Sequence, residues 1–259
     1  MAGEILFEII DDKIALITLN RIASLNSLNG SLVQEFNKVL DECANNKKIR
    51  CVILTGAGKG FCAGGDLSYL ESLQEETQIS SFIADVGLLA EKIYHLPKPV
   101  IAMVNGVAAG AGFNLVLACD LIYATDTARF SQSFAKVGLI PDCGGLYFLQ
   151  KQIGPYKAKQ LMFTAELIDC EQGYKLGFIN KICKAEFLYR ETLELAEKLS
   201  NGAPLALGLI KKYLNEDNKT LEQTLEVEKE QQTLCLKTAD FSEGVLAFKE
   251  KREPIFIGK

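Results

Sequence analysis

The sequence predicts an α/β fold wound from stacked ββα turns in one core, with a helical region at its C-terminal end. Two observations carry that expectation. The order strand, glycine turn, helix, strand runs through residues 51–70 and returns at 100–124, as repeated units sharing one core would do. From Tyr156 onward the apolar spacing is almost entirely helical, with a period near 3.6 rather than 2. A chain of 259 residues suits one large domain. We expect the core over 1–200 and a helical region over 201–259 that packs on it and on neighbouring subunits.

Taken in order, Ile5–Ile10 and Ile14–Leu19 are isoleucine-rich segments around Asp11-Asp12-Lys13 and read as paired strands. Residues 20–29 read as a loop. Ser31 reads as an N-cap for a helix whose apolar face is Leu32, Val33, Phe36, Val39, Leu40 and Cys43. Residues 50–55 form a continuous apolar strand, and a polar helix is expected over 68–95. Short strands are expected at 121–124 and 128–131, and helices at 158–164, 170–176, 188–200, 204–214 and 220–238.

Composition narrows the function. Apolar content of 48% and charged content of 24% are those of a globular protein with a real core. A net charge of −5 argues against nucleic-acid binding. No apolar run reaches the roughly 18–20 residues of a membrane span, and the first residues lack the pattern of a signal or transit peptide. A cytoplasmic location is the expectation. The eight cysteines form no Cys-x-x-Cys pair, so they read as small buried hydrophobes and no metal is expected. The single histidine, His95, sits in Tyr-His-Leu-Pro-Lys-Pro and reads as a loop residue. A Ser-His-Asp or Cys-His scheme would have to use it.

Two glycine-rich turns stand out. Gly56-Ala-Gly-Lys-Gly-Phe-Cys-Ala-Gly-Gly-Asp66 lacks the Lys-Ser/Thr ending of a phosphate-binding loop and the strand–GxGxxG–helix order of a dinucleotide fold. Asp66 reads as the N-cap of the next helix. In Val104-Asn-Gly-Val-Ala-Ala-Gly-Ala-Gly-Phe-Asn114, small residues precede an apolar run. They allow a ligand close to the backbone, and a helix starting near Ala111 would offer free N–H groups to an anion. Asp142, between Pro141 and Gly144, reads on its own as a turn residue.

At these motifs the sequence resembles the crotonase (enoyl-CoA hydratase/isomerase) superfamily, nearly end to end. The resemblance runs through Leu19-Asn-Arg21, Leu54-Thr-Gly-Ala-Gly58, Gly60-Phe-Cys-Ala-Gly-Gly-Asp66, Pro97-Lys-Pro99, Asn105-Gly106 and Gly110-Ala-Gly112. It continues through Gly138-Leu139, Gly144-Gly145 and the segment from Gly244 to Phe256. Ile22 departs from the proline usual after Asn-Arg. Within the family, Lys136-Val-Gly-Leu-Ile-Pro-Asp-Cys-Gly-Gly145 is most similar to the branch of 1,2-epoxyphenylacetyl-CoA and enoyl-CoA isomerases.

The resemblance implies a crotonase-like spiral with a C-terminal trimerisation region, an acyl-CoA thioester substrate, no further cofactor, and a homotrimer or dimer of trimers. It places an oxyanion hole at the amides of Gly65 and Ala111, with Gly112 beside them. The two glutamates that hold water in the family's hydratases fall at Asn114 and Phe134, which cannot transfer protons. Asn114 is left to orient a substrate oxygen or a water. Asp142 matches the proton-carrying carboxylate of the isomerase branch, with Phe134, Leu139 and Ile140 as an apolar wall that raises its pKa. Coenzyme A contacts carry over to Ala23, Leu25, Ala63, Asp66 and Leu67, and to Phe248 and Lys251, the last also readable as a solvated tail residue. The depth of the acyl pocket depends on residues 68–83 and 130–134. Alternatives are a hydratase using another carboxylate, Asp66 or Glu71, and an acyl-CoA-binding protein without turnover.

Overall fold

The computed structural model describes residues 3–216 and 219–259. Its centre is a six-stranded sheet in the order β1-β2-β3-β5-β7-β10. β1 (Ile5–Ile10) and β2 (Ile14–Leu19) pair antiparallel, and β3 (Cys51–Gly56), β5 (Val100–Val104), β7 (Leu121–Thr125) and β10 (Lys181–Cys183) add in parallel. β3 and β5 are buried at every position, which is why they read as unbroken apolar runs.

Each turn of the spiral then places a short strand in a second sheet, ordered β4-β6-β8-β9. These are β4 (Gly60–Cys62), β6 (Val107–Ala109), β8 (Arg129–Ser131) and β9 (Ile168–Asp169). The first two turns end in helices, α2 (Leu67–Ser72) with α3 (Glu76–His95), and α4 (Ala111–Ala118). All eight residues of α4 are buried, so this helix is the axis on which the layers pack. Gly112 makes the packing possible, since a Cβ there would collide with the carbonyl of Cys62 on β4. Around α4, Phe113, Phe130 and Phe178 form a mutual cluster with ring centroids 5.2–5.4 Å apart.

Several local expectations shift. Asn29, not Ser31, caps α1 (Gly30–Asn45), its side chain accepting from Leu32 N at 2.9 Å. Residues 22–24 within the loop form a 3₁₀ turn. The helix expected over 68–95 is two, because Glu75 and Gln78 close a capping box that starts α3 afresh. The helix expected over 220–238 is α10 (Leu221–Cys235), and beyond it Thr238 caps a further helix, α11 (Ala239–Glu250). His95 is the last residue of α3, edge-on to Tyr94. Helix α5 (Gly145–Ile153), to which the sequence reading assigned no element, follows directly on Asp142-Cys-Gly. α6 (Pro155–Thr164), α7 (Cys170–Leu176), α8 (Ala185–Ser200) and α9 (Pro204–Asn215) lie near their expected bounds.

The helical region is tied to the core by an ion pair whose lysine end is buried. Lys211 of α9, 8% exposed, reaches Asp120 at 2.7 Å and donates to the carbonyls of Ile93 and Lys98. Seven of the eight cysteines are buried, and among the described residues no three His, Cys, Asp or Glu side chains cluster as metal ligands. No helix among the described residues is long and apolar enough to cross a membrane.

Candidate active site

A cavity of about 780 Å³ opens between the two glycine turns and the segment after β8. Its floor is backbone. Gly64, at φ +98°, brings the first turn so close to the second that a Cβ on it would lie 2.9 Å from Ala109 O and 3.6 Å from Ala111 N. Leu28 straddles the first turn, donating to Gly64 O at 2.7 Å and accepting from Asp66 N at 2.9 Å. The amide of Gly65 lies between those two bonds and has no protein acceptor among the described residues. Ala111 is the first residue of α4, so its N–H is one of those a helix start leaves unpaired. The turn before it is fixed by Gly110 N to Ser131 O at 2.9 Å and Asn114 N to Gly110 O at 3.1 Å. Both Gly65 and Ala111 line the cavity. Two fixed amides at a dry site suit an oxygen that gains negative charge during reaction.

The opposite wall is made of side chains. Phe134, Val137, Leu139 and Ile140 supply apolar surface, and Leu70, Leu73, Ile79, Phe82, Ile83 and Val86 extend it from α2 and α3. Asp142 stands in this wall. Its Oδ1 is buried without a hydrogen-bond partner, and burial pushes its carboxyl up to about 6. The mechanism is loss of hydration of the charged form. A carboxyl near 6 takes and returns protons readily close to neutral pH.

Asp66 is the other carboxylate on the cavity and is differently placed. It caps α2, accepting from Tyr69 N at 3.2 Å, and pairs with Arg21 at 2.9 Å. Burial opposes its charge, but the Arg21 guanidinium and the Tyr69 and Ser68 amides hold its carboxyl below the ordinary carboxylate range. It is a committed anion, poorly suited to carrying protons. Glu71 is exposed and outside the cavity lining.

Of the residues singled out from sequence, the structure brings Ala63, Gly65, Asp66, Leu67, Ala111, Phe134 and Asp142 together on one cavity. Others fall elsewhere. Gly112 and Asn114, expected to touch substrate, lie behind the cavity wall. Gly112 is the packing contact on Cys62, and Asn114, 0% exposed, bonds only to protein. Ala23 and Leu25 sit on the exposed loop beside the first turn, joined to it by Ala63 N donating to Leu25 O at 3.0 Å. Phe248, 85% exposed, and Lys251 belong to the end of α11, with Phe248 on a separate apolar groove between α9, α10 and α11. Sequence reasoning missed Arg21 as the partner of Asp66 and Gln132 as the partner of Asn114, since neither pairing has a local spacing signal.

The comparisons agree with this geometry. Residues 10–259 match the family model described as enoyl-CoA hydratase/isomerase. The chain belongs to the enoyl-CoA hydratase/isomerase family. It is 37% identical to the 1,2-epoxyphenylacetyl-CoA isomerase of Escherichia coli K12, covering 99% of each chain. It is 32% identical to the crotonyl-CoA hydratase of Syntrophomonas wolfei, covering 96% of each. Among solved structures, an enoyl-CoA hydratase from Bacillus anthracis superposes with a TM-score of 0.95 at 33% identity, over 99% of this chain and 100% of that one. This chain is therefore an enzyme of the hydratase/isomerase family, built on the crotonase fold.

Proposed function

We propose that this family member is an acyl-CoA isomerase that shifts a double bond from the 3,4 to the 2,3 position. The observation that carries the reading is the asymmetry of carboxylates: Asp142 is desolvated, pairs with no cation and has one oxygen without a partner, while Asp66 is bound to Arg21. In this reading the thioester oxygen sits on the amides of Gly65 and Ala111. The Asp142 carboxylate removes a proton from C2, leaving a dienolate whose charge rests on that oxygen. The same carboxyl, now protonated, returns the proton to C4. One base acting twice needs no second acid, and the amides supply the charge stabilisation, so the reading calls for no metal or redox group.

Ring-epoxide isomerisation of a phenylacetyl-CoA derivative is a second reading. It is favoured by the 37% identity to the enzyme named for that reaction. Hydration is the alternative, favoured by the 32% identity to a crotonyl-CoA hydratase; it would need a non-standard acid/base, because Asn114 and Phe134 occupy the positions where the resemblance puts the hydratases' two glutamates. We further propose a homotrimer or dimer of trimers in which Phe248 and Lys251 approach the nucleotide end of coenzyme A.

The test is turnover of 3-enoyl-CoA, 2-enoyl-CoA and an aromatic-ring epoxide thioester by the purified chain. Double-bond shift and water uptake are scored separately. We expect the shift to dominate and to fall on the order of 10²–10⁴-fold in Asp142→Asn. Water addition outpacing the shift, or a fully active Asp142→Asn protein, overturns the reading.

A further inference from the structure

The placement of Asp142 raises a question its own contacts do not answer. Asp142 Oδ1 has no partner, and the hydrogen bond its carboxyl does accept comes from its own amide, so the main chain sets where the carboxyl points. That main chain is strained. Cys143 follows at φ +49° and Gly144 at φ +74°, and a non-glycine residue in the left-handed region persists only where its surroundings over-determine it.

Two fully buried amides supply the hold. Asn114 Nδ2 donates to the carbonyl of Asp142 at 2.9 Å, and Asn114 Oδ1 accepts from Gln132 Nε2 at 2.7 Å. Both side chains are 0% exposed and neither lines the cavity. Gly145, whose N–H also donates to Asp142 O at 2.9 Å, lies directly against the Asn114 amide, where a Cβ would collide. A carboxamide accepts at one end and donates at the other, as this geometry requires; an ionised carboxylate can only accept. A carboxylate at 114 would set an oxygen against the Asp142 carbonyl. We infer that Asn114 and Gln132 form a positioning pair, running from the residue just after β8 through α4, that fixes the Asp142 main chain and aims its carboxyl into the cavity. This rests on the reading of Asp142 as proton carrier.

The other charged groups on the cavity are Asp66, tied to Arg21, and Lys136 at its lip. The neighbouring thiols of Cys62 and Cys143 are pushed far up by burial and stay neutral. A change in the Asp142 titration therefore reports its own setting.

The experiment compares Asn114→Leu, Gln132→Met and the double variant, reading melting temperature, kcat and KM for 3-enoyl-CoA, and the Asp142 carboxyl titration by ¹³C NMR, assigned with Asp142→Asn. Asn114→Leu strands the Gln132 donor and lowers the melting temperature; the double variant, with both polar partners removed, recovers it. Turnover does not recover with it. We expect kcat to stay down about 10- to 100-fold in the double variant, the scale of a small misplacement, with KM nearly unchanged. The carboxyl titration should slide from about 6 toward the ordinary carboxylate value as the freed loop hydrates. Gln132→Met alone, which leaves the Asn114 donor present but unoriented, moves both readings the same way by less. Turnover that returns together with the melting temperature, or a titration unmoved in every variant, overturns the pairing. A wild-type chain that turns over no 3-enoyl-CoA removes the proton-carrier reading instead. The titration needs no substrate, so it still decides whether the pair holds the carboxyl.

Discussion

The two walls of the cavity are built by opposite means. The floor at Gly64-Gly65 and Gly110-Ala111 is main chain, clamped by Leu28 and Ser131 and seated on a helix with no exposed residue. The wall over 133–142 is side chain on an irregular segment, with Leu139 half exposed and Ile140 at 71%. The floor offers dipoles whose direction cannot change, and the wall offers a group whose charge can. A reaction through an enolate needs both: fixed donors for the oxygen, and a titrating group for the proton.

Four measurements break or sharpen that contrast. The largest effect is expected on the wall. Asp142→Asn should cost about 10³-fold in turnover while leaving acyl-CoA affinity intact, checked by steady-state kinetics against calorimetric binding. Retained turnover would falsify the division of labour. On the floor, Ala111→Pro deletes one amide at the first helical position, where proline is tolerated. A loss of about 10²–10³-fold in kcat is expected, with the helix intact by circular dichroism. A variant as active as the parent would move the oxyanion site elsewhere.

The third measurement is pH. Because the Asp142 carboxyl is held near 6 and must be ionised to accept a proton, kcat/KM should fall as pH drops below about 6. An acid limb near 4 would mean the wall is wetter in solution than the structure indicates. The same raised value has a stability consequence of the opposite sense. The folded state binds the proton more tightly than the unfolded chain, so the favourable contribution of neutral Asp142 is complete below the ordinary carboxylate value of 3.8 and is lost as pH rises through about 6. Asp142→Asn should thus be the more stable protein at pH 8, by about 1–3 kcal/mol in denaturant unfolding. That advantage should vanish near pH 3.5.

The smallest effect belongs to the floor's edge. Arg21→Met leaves the cap at Asp66 but removes its ion partner, 20% exposed, and should cost about 1 kcal/mol or less. The held-down carboxyl of Asp66 contributes stability above its unfolded value that fades as pH falls. The loss should therefore shrink in acid.

The floor was legible in the sequence and the wall was legible only in part. Small residues before an apolar run announce a helix start that a ligand approaches, and Ala111 opens α4 as read. The cap at Asp66 was equally local, its carboxylate accepting from the amide of Tyr69 three residues on. Asp142 read as a turn residue from composition, and its second meaning came from the resemblance. What sequence could not supply were pairings between distant positions: Arg21 with Asp66, Gln132 with Asn114, Lys211 with Asp120. Nor could it separate Asn114 from the cavity, since one turn along a helix that is buried on every side leaves no face marked as inward or outward. α5 was missed because the glycines before it resemble a loop, yet Gly144 in the left-handed region is what starts the helix.

The collision of Gly145 with the Asn114 amide bears on how such an enzyme would exchange one chemistry for another. Installing a glutamate at 114 adds a methylene where Gly145 leaves little room, and deprives the Asp142 carbonyl of its Asn114 donor. The route to a two-glutamate site is thus not a single replacement. It requires position 132 to change with 114 and the main chain of the 142–145 turn to move, since Gly145 has no side chain to give up. The identity of residue 114 is thereby tied to the placement of the main chain at 142.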